Sequence, residues 1–239
     1  MPVIDQDLKR RLAESAAEMV DQSLTTGLDA GDISVYVRDE GLIYALPRPC
    51  ERLRIRSWKD IRPEDVAVID PAGEVVQGSN TDPTVEIPMH LRIYEARPDI
   101  SAVVHSHGEW SQVFATTGRD IPTSTIDTFV HCGFGPIRWG RFGLVGSEEL
   151  AVNMVEALGK TGMAALMACH GAVSLGADLD EAMQVAKTVE RAARQALFAY
   201  QIGEPPQLTL AHVIADEELA ARVASGEVRL HTQTLQVLA

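Results

Sequence analysis

The sequence predicts an α/β domain with a mostly antiparallel sheet and helices on both faces. Three observations point there. Short apolar runs with strand character alternate irregularly with longer runs of helical spacing. The early strands are joined by tight turns, which make hairpins, whereas parallel strands need long crossovers. The 239 residues, 46% hydrophobic and 23% charged, suffice to bury a sizeable core. Residues 1–239 are therefore read as a single domain.

Taken in order, Leu8, Leu12, Ala16, Met19, Val20 and Leu24 recur at helical spacing, which predicts an amphipathic helix over 6–24. Gly27 and Gly31 then punctuate the chain. Residues 33–38 (ISVYVR) are a strand, Asp39-Glu40-Gly41 a turn, and 42–46 the strand that completes a hairpin. A short strand at 66–69, a turn at 70–73 and another strand at 74–77 follow, then a loop at 78–83. A helix spans 84–97. Pro88 fits only its first turn, so its start lies near 85–87. After Pro98-Asp99 comes a buried strand at 100–107 and a helix at 110–117. Glycine-rich loops at 133–136 and 140–146 flank a short strand. Ser147 caps a helix that runs to Leu158, with Glu148 and Glu149 favouring its dipole. An apolar strand at 164–168 leads straight to His170 and continues at 173–175. Asp180 caps a helix over 181–200 that closes at Gly203. Residues 211–239 are charged and weakly periodic, a tail expected to pack on a neighbouring subunit.

Composition excludes several function classes. No run of about 18 apolar residues is present, and the first eleven residues lack a signal peptide's apolar core. A membrane partner is therefore not expected, and the location is read as cytoplasmic. A net charge of −13 repels nucleic acid. One basic cluster stands out, Arg48, Arg52, Arg54, Arg56 and Lys59, and reads equally as a solvated edge or an anion-recognising loop. Cys50, Cys132 and Cys169 form no CxxC pair, so all three are expected to be small buried apolar side chains.

The chemistry concentrates on histidine. His105-Ser106-His107 ends an apolar strand, and side chains two apart on a strand share a face. Two imidazoles so placed can grip one ion, although the same pattern also describes two surface histidines. His170 follows a second apolar strand and precedes Gly171. It can complete a three-histidine site with an open coordination position, or be a turn histidine bonded to backbone. Glu86 opens the helix that leads into the HSH strand and shares a helix face with His90. It can be read as an acid or base beside the ion, but the residues alone favour a carboxylate serving a helix N-terminus.

Together these segments resemble the class II aldolase/adducin family, and the closer likeness is to its fuculose-phosphate-aldolase-like members. The likeness rests on Pro83-Thr84-Val85-Glu86, His90, Ile93-Tyr94, Ala96-Arg97-Pro98-Asp99 and Ala102-Val103-Val104-His105-Ser106-His107. Cys169-His170-Gly171-Ala172-Val173, Gly176, Glu181-Ala182, Glu190 and Ala193 agree later, and Gly31, Ile33-Ser34-Val35 and Arg38 earlier. It spans about 27–203. The resemblance implies a three-layer αβα aldolase/epimerase-like fold and a homo-oligomer, a tetramer foremost, with active sites at subunit contacts. It implies a divalent metal on His105, His107 and His170, with zinc foremost and manganese, iron or cobalt as alternatives. Glu86 would be the acid/base of a carbon–carbon lyase that forms an enediolate from a small hydroxy-carbonyl substrate.

The sequence also departs from that family. Where sugar-phosphate members cradle phosphate, this chain has Gly31-Asp32, Pro47-Arg48-Pro49 and Thr84-Val85. Asp32 would repel a phosphate dianion, whereas Arg48 offers a forked donor to a carboxylate or phosphate. The family's tyrosine after the HxH strand is absent between Ile121 and Gly133, where Asp127 and His131 stand in a polar loop. Arg48, Asp32, Ser34, Thr84, Asp127 and His131 are thus the candidate substrate-binding residues for a small anionic or hydroxylated compound. Decarboxylation of a hydroxylated, perhaps aromatic, carboxylic acid is the alternative to aldol cleavage.

Overall fold

The computed structural model describes residues 3–26, 30–48, 57–76, 79 and 81–228. Among them seven strands form one sheet: β1 (Asp32–Val37), β2 (Leu42–Ala45), β3 (Ala67–Ile69), β4 (Ala102–Ser106), β5 (Arg138–Gly140), β6 (Ala164–Met167) and β7 (Gly171–Gly176). Their order is β3-β2-β1-β4-β7-β6-β5, antiparallel throughout except for the β5–β6 pair. The register places what matters for the site. Asp32 of β1 lies opposite His105 of β4, and β4's other neighbour is β7, where Val173 lies opposite His105 and Ala172 opposite Ser106.

Helices flank this sheet as a three-layer α/β/α arrangement. They are α1 (Gln6–Asp21), α2 (Ile87–Ala96), α3 (Glu109–Thr117), α4 (Ile126–Cys132), α5 (Glu148–Leu158), α6 (Leu179–Ile202), α7 (Leu210–Val213) and α8 (Glu217–Ser225). The period-2 alternation of the strands divides the core. Ile33, Val35, Tyr44, Ala102 and Val104 join Leu12, Ala16 and Met19 of α1 with Ala182 and Met183 of α6. Val103, Val173 and Leu175 join Met89 and Ile93 of α2, Leu150 and Met154 of α5, and Val185 and Val189 of α6. Each such fully buried aliphatic side chain contributes about 2 kcal/mol of transfer free energy.

Several expectations need correction. Residues 173–175 do not continue the strand before them: β7 turns back antiparallel to β6 through a turn in which Cys169 takes a left-handed φ of 56°. Residues 126–132 are helix, capped by Thr125, whose side chain accepts from Thr128 N–H. The cap of α6 is Asp178, which accepts from Glu181 N–H, so Asp180 sits in the first turn. In the expected strand at 74–77 only an isolated bridge between Ile69 and Val75 is found, because the Asp70 side chain captures the N–H groups of Ala72 and Glu74 and folds that stretch into a turn; Gln77 lies outside the described residues. Cys132 is buried as expected, Cys169 is exposed, and Cys50 lies outside the described residues. So do Arg52, Arg54 and Arg56 of the basic cluster, and the tail beyond Val228. Among the described residues no helix is long and apolar enough to cross a membrane.

Candidate metal centre

The three histidines reach one point from two separate chain segments. His105 is the fourth residue of β4 and completely buried, and His107 follows just past the strand's end on the same face. The backbone N–H of His107 donates to Leu24 O at 2.8 Å, which fixes where the chain leaves the strand. His170 comes from the β6–β7 turn, where its N–H donates to Met167 O at 3.0 Å. Gly171 makes this approach possible: a Cβ there would lie 2.3 Å from Ser106 O and 3.2 Å from the His105 ring. The ring centroids lie 4.7 Å (His105–His107), 4.8 Å (His105–His170) and 4.8 Å (His107–His170) apart.

Glu86 completes the group. It is the residue before α2 and its side chain makes no capping hydrogen bond, so it is not there to serve the helix end. Instead its Oε2 lies 2.9 Å from His105 Nε2 and 3.8 Å from His170 Nε2. One ligand atom from each of Glu86, His105, His107 and His170 can be chosen so that all four lie within 4.8 Å of one another.

The proton inventory of the cluster is compatible with a bound cation. His105 Nδ1 stands 3.0 Å from the carbonyl oxygen of Ala172, which can only accept, so Nδ1 carries hydrogen. Its Nε2 therefore offers a lone pair, yet it faces the Glu86 carboxylate at 2.9 Å and His107 Nε2 at 2.9 Å. Glu86 Oε1 is buried with no hydrogen-bond partner at all, a costly state for a carboxylate. A proton on His105 Nε2 satisfies Glu86 Oε2, as would a cation held between them. Burial opposes that charge, but Glu86, Asp32 and the Ala172 carbonyl outweigh burial and hold the His105 pKa up at about 9. Burial, then repulsion from His105 and His170, pushes His107 down to about 3. His170 is lowered by burial and by His105. Burial pulls the Glu86 carboxyl up, yet the charge and hydrogen bond of His105 bring it below its usual value. Three imidazoles and a carboxylate with ligand atoms within 4.8 Å of one another are a donor set that suits a divalent metal.

The other candidate residues are distributed unevenly. Asp32, Ser34 and Thr84 are buried next to the cluster and bonded among themselves and to α2: Thr84 Oγ1 donates to Asp32 Oδ2 at 2.5 Å, and Ser34 Oγ lies 2.7 Å from His90 Nδ1. Arg48 is exposed, and its backbone N–H donates to Asp82 O. Asp127 and His131 lie on α4, where Asp127 pairs with Arg191 and stands 3.7 Å from His131. None of these contacts reaches the three clustered histidines. His131 instead borders a separate cavity of about 290 Å³ with Arg97 and Lys160. Sequence reasoning missed Gln112. Its Nε2 donates to the backbone oxygen of His170 at 3.0 Å and lies 3.2 Å from His107 Nδ1, joining the two halves of the cluster. Only its place one helical turn past the HSH strand could have drawn attention to it.

Comparison with known proteins agrees with this geometry. The family described as the class II aldolase and adducin N-terminal domain matches residues 10–197. A 5-deoxy-D-ribulose 1-phosphate aldolase of Bacillus thuringiensis is 30% identical over 205 residues, covering 85% of this chain and 90% of that one. A 5-methylthioribulose-1-phosphate/5-deoxyribulose-1-phosphate aldolase of Rhodospirillum rubrum is 33% identical over 198 residues, with 83% and 84% covered. Among solved structures, an L-fuculose 1-phosphate aldolase superposes with a TM-score of 0.79 at 28% identity, covering 94% of this chain and 98% of that one.

Proposed function

This chain belongs to the class II aldolase and adducin family, and from that premise we propose that Glu86 moves the proton in an aldol cleavage supported by a metal on His105, His107 and His170. The protein is a divalent-metal-dependent carbon–carbon lyase acting on a small hydroxy-carbonyl compound. The observation that carries the residue assignment is the meeting of Glu86 with three histidines that the chain encodes 65 positions apart, His105 to His170. A divalent ion bound there supplies Lewis acidity toward the substrate's carbonyl and hydroxyl oxygens. Three imidazoles and a carboxylate suit zinc first, with manganese, iron and cobalt as the other ions compatible with such donors.

The chain's own groups then divide the work. Cleavage needs a base to take the proton of the hydroxyl whose carbon becomes the aldehyde, and an acid to return a proton to the carbon left behind. Glu86 Oε1, buried and unpartnered, is the oxygen free to do both. His105 stays fixed by its Nδ1 contact with Ala172, and burial around the cluster excludes water from the reacting atoms.

Two coarser features belong to the same reading. Phe142, Leu144 and Val145 are 54–68% exposed on the loop before α5, and Gly146 in that loop lies so near that a side-chain Cβ there would fall 2.7 Å from the backbone oxygen of Val85, next to Glu86. Such an apolar rim beside the site supports assembly into a homo-oligomer, a tetramer foremost, with the rim covered by a neighbour. A cytoplasmic location accords with the chemistry and with a free, exposed Cys169.

The test is product analysis with metal-loaded protein. The panel comprises 5-deoxy-D-ribulose 1-phosphate, L-fuculose 1-phosphate, their unphosphorylated sugars, and hydroxylated aromatic carboxylic acids. Aldehyde release from a ketose, lost after chelation and restored by zinc, is the expected result. Carbon dioxide from the acids with no aldehyde from any ketose would replace the aldol reading by decarboxylation.

A further inference from the structure

The Glu86 carboxylate works only if something holds it against His105, and its own helix end does not. The backbone around it is gripped instead. Glu86 N–H donates to Thr84 Oγ1 at 3.2 Å, and Thr84 Oγ1 donates its one proton to Asp32 Oδ2 at 2.5 Å. One turn further along α2, His90 Nε2 stands 2.9 Å from Asp32 Oδ1, a close polar contact whose geometry is not that of a hydrogen bond. A single buried carboxylate on β1, paired in register with His105, thus touches the chain on both sides of Glu86, at Thr84 before α2 and at His90 within it.

The direction of each hydrogen atom follows. An ionised carboxylate only accepts, so Thr84 must point its proton at Asp32, and its lone pairs are left for Glu86 N–H. His90 suits the same carboxylate when its ring hydrogen is on Nε2. Its Nδ1 then accepts from Ser34 Oγ at 2.7 Å, and Ser34 accepts from Tyr94 O–H at 2.7 Å. Ser34, His90 and Tyr94 are all buried, so the chain of bonds has no solvent alternative. An amide at position 32 could not accept from Thr84 and His90 together without exposing its NH2 group to one of them.

We propose that Asp32 is a positioning residue, clamping the start of α2 through Thr84 and His90 so that Glu86 is held facing His105. This rests on the reading of Glu86 as the acid and base. It differs from a substrate-binding role for Asp32, Ser34 and Thr84, because it needs no contact between them and the substrate.

The experiment compares Asp32→Asn, Thr84→Val and Thr84→Ser in the full, zinc-loaded chain. Three quantities are measured: the exchange rate of the Glu86 backbone N–H by NMR, zinc content, and kcat and KM for whichever ketose of the panel is cleaved. Thr84→Val and Asp32→Asn are expected to speed Glu86 N–H exchange about tenfold or more. They are expected to lower kcat about tenfold or more at nearly constant KM and full zinc content. Thr84→Ser, which keeps the hydroxyl, recovers most of what Val loses. Unchanged Glu86 exchange in Thr84→Val overturns the proposal, as does zinc lost in step with kcat, or a Ser variant no better than Val. If the unmodified protein cleaves no ketose, the aldolase reading fails by itself, and the exchange rates still decide whether the clamp exists.

Discussion

At the scale of single residues, the proposed roles separate holding an ion from moving a proton. The His105 ring is tied to backbone through Ala172 O, whereas His170 is fixed through its own main-chain N–H and carbonyl. Removing either leaves two imidazoles and Glu86, a set that can still hold zinc but only by tying up the carboxylate that would move the proton. We expect His170→Ala to hold zinc more weakly, measured by elemental analysis after dialysis against a chelator, and to release no aldehyde. Glu86→Gln keeps the three imidazoles and should retain the ion while losing about 10²–10⁴-fold in kcat, the usual worth of a general acid/base. A Gln variant with near-normal kcat would move the proton-transfer role to another group.

At the scale of elements, α1 and the sheet face it covers form a support on the side away from Glu86. Leu12 and Met19 are fully buried against Ile33, Val104 and Tyr44 on the face of the sheet opposite Glu86. Leu12→Ala should therefore cost about 3 kcal/mol in denaturant unfolding, the usual range for a buried leucine. Its zinc stoichiometry at 25 °C should stay that of the unmodified protein. Zinc lost together with stability would mean that the support and the site are one unit. This same element shows why so much was legible in the sequence. The apolar period of α1, the cap at Ser147 and the first-turn Pro88 are local signals, and the structure follows each of them. The β6–β7 reversal was not legible, because it depends on Cys169 accepting a left-handed φ that no composition rule predicts for cysteine. Helix α4 was hidden for another reason: seven residues carry too little periodicity to be told from a polar loop. At the site, the HSH pair and His170 stood out because their residue types are rare and sit at strand ends. Gln112 and the Asp32–His90 contact did not, since hydrogen-bond partners far apart in sequence leave no spacing to read.

At the scale of the whole molecule, the ion and the fold should share one dependence on pH. In the ion-free protein His105 carries the cluster's proton, with a folded pKa of about 9 against 6.5 for a free histidine. A group whose pKa rises on folding adds stability that is complete below the unfolded value and disappears as pH climbs through the folded one. Stability of the chelated protein should thus fall between about pH 6.5 and pH 9, by an amount on the order of 3 kcal/mol. His107 acts in the opposite sense. Held neutral down to about pH 3, it gives the unfolded chain an advantage in binding protons as pH drops below 6.5. The ion-free protein is therefore expected to be most stable near neutrality and weaker on both sides. With zinc bound, the ion replaces the proton on His105, so the alkaline loss should vanish. The acid loss should steepen, because protons then compete with the ion for every ligand. The measurement is Tm against pH from 5 to 9.5, with and without a chelator, and the quantity of interest is the difference between the two curves. Every group outside the cluster cancels in that difference. It should widen steadily above neutral pH, and curves that run parallel from pH 7 to 9.5 would show that His105 and the ion do not occupy the same charge position.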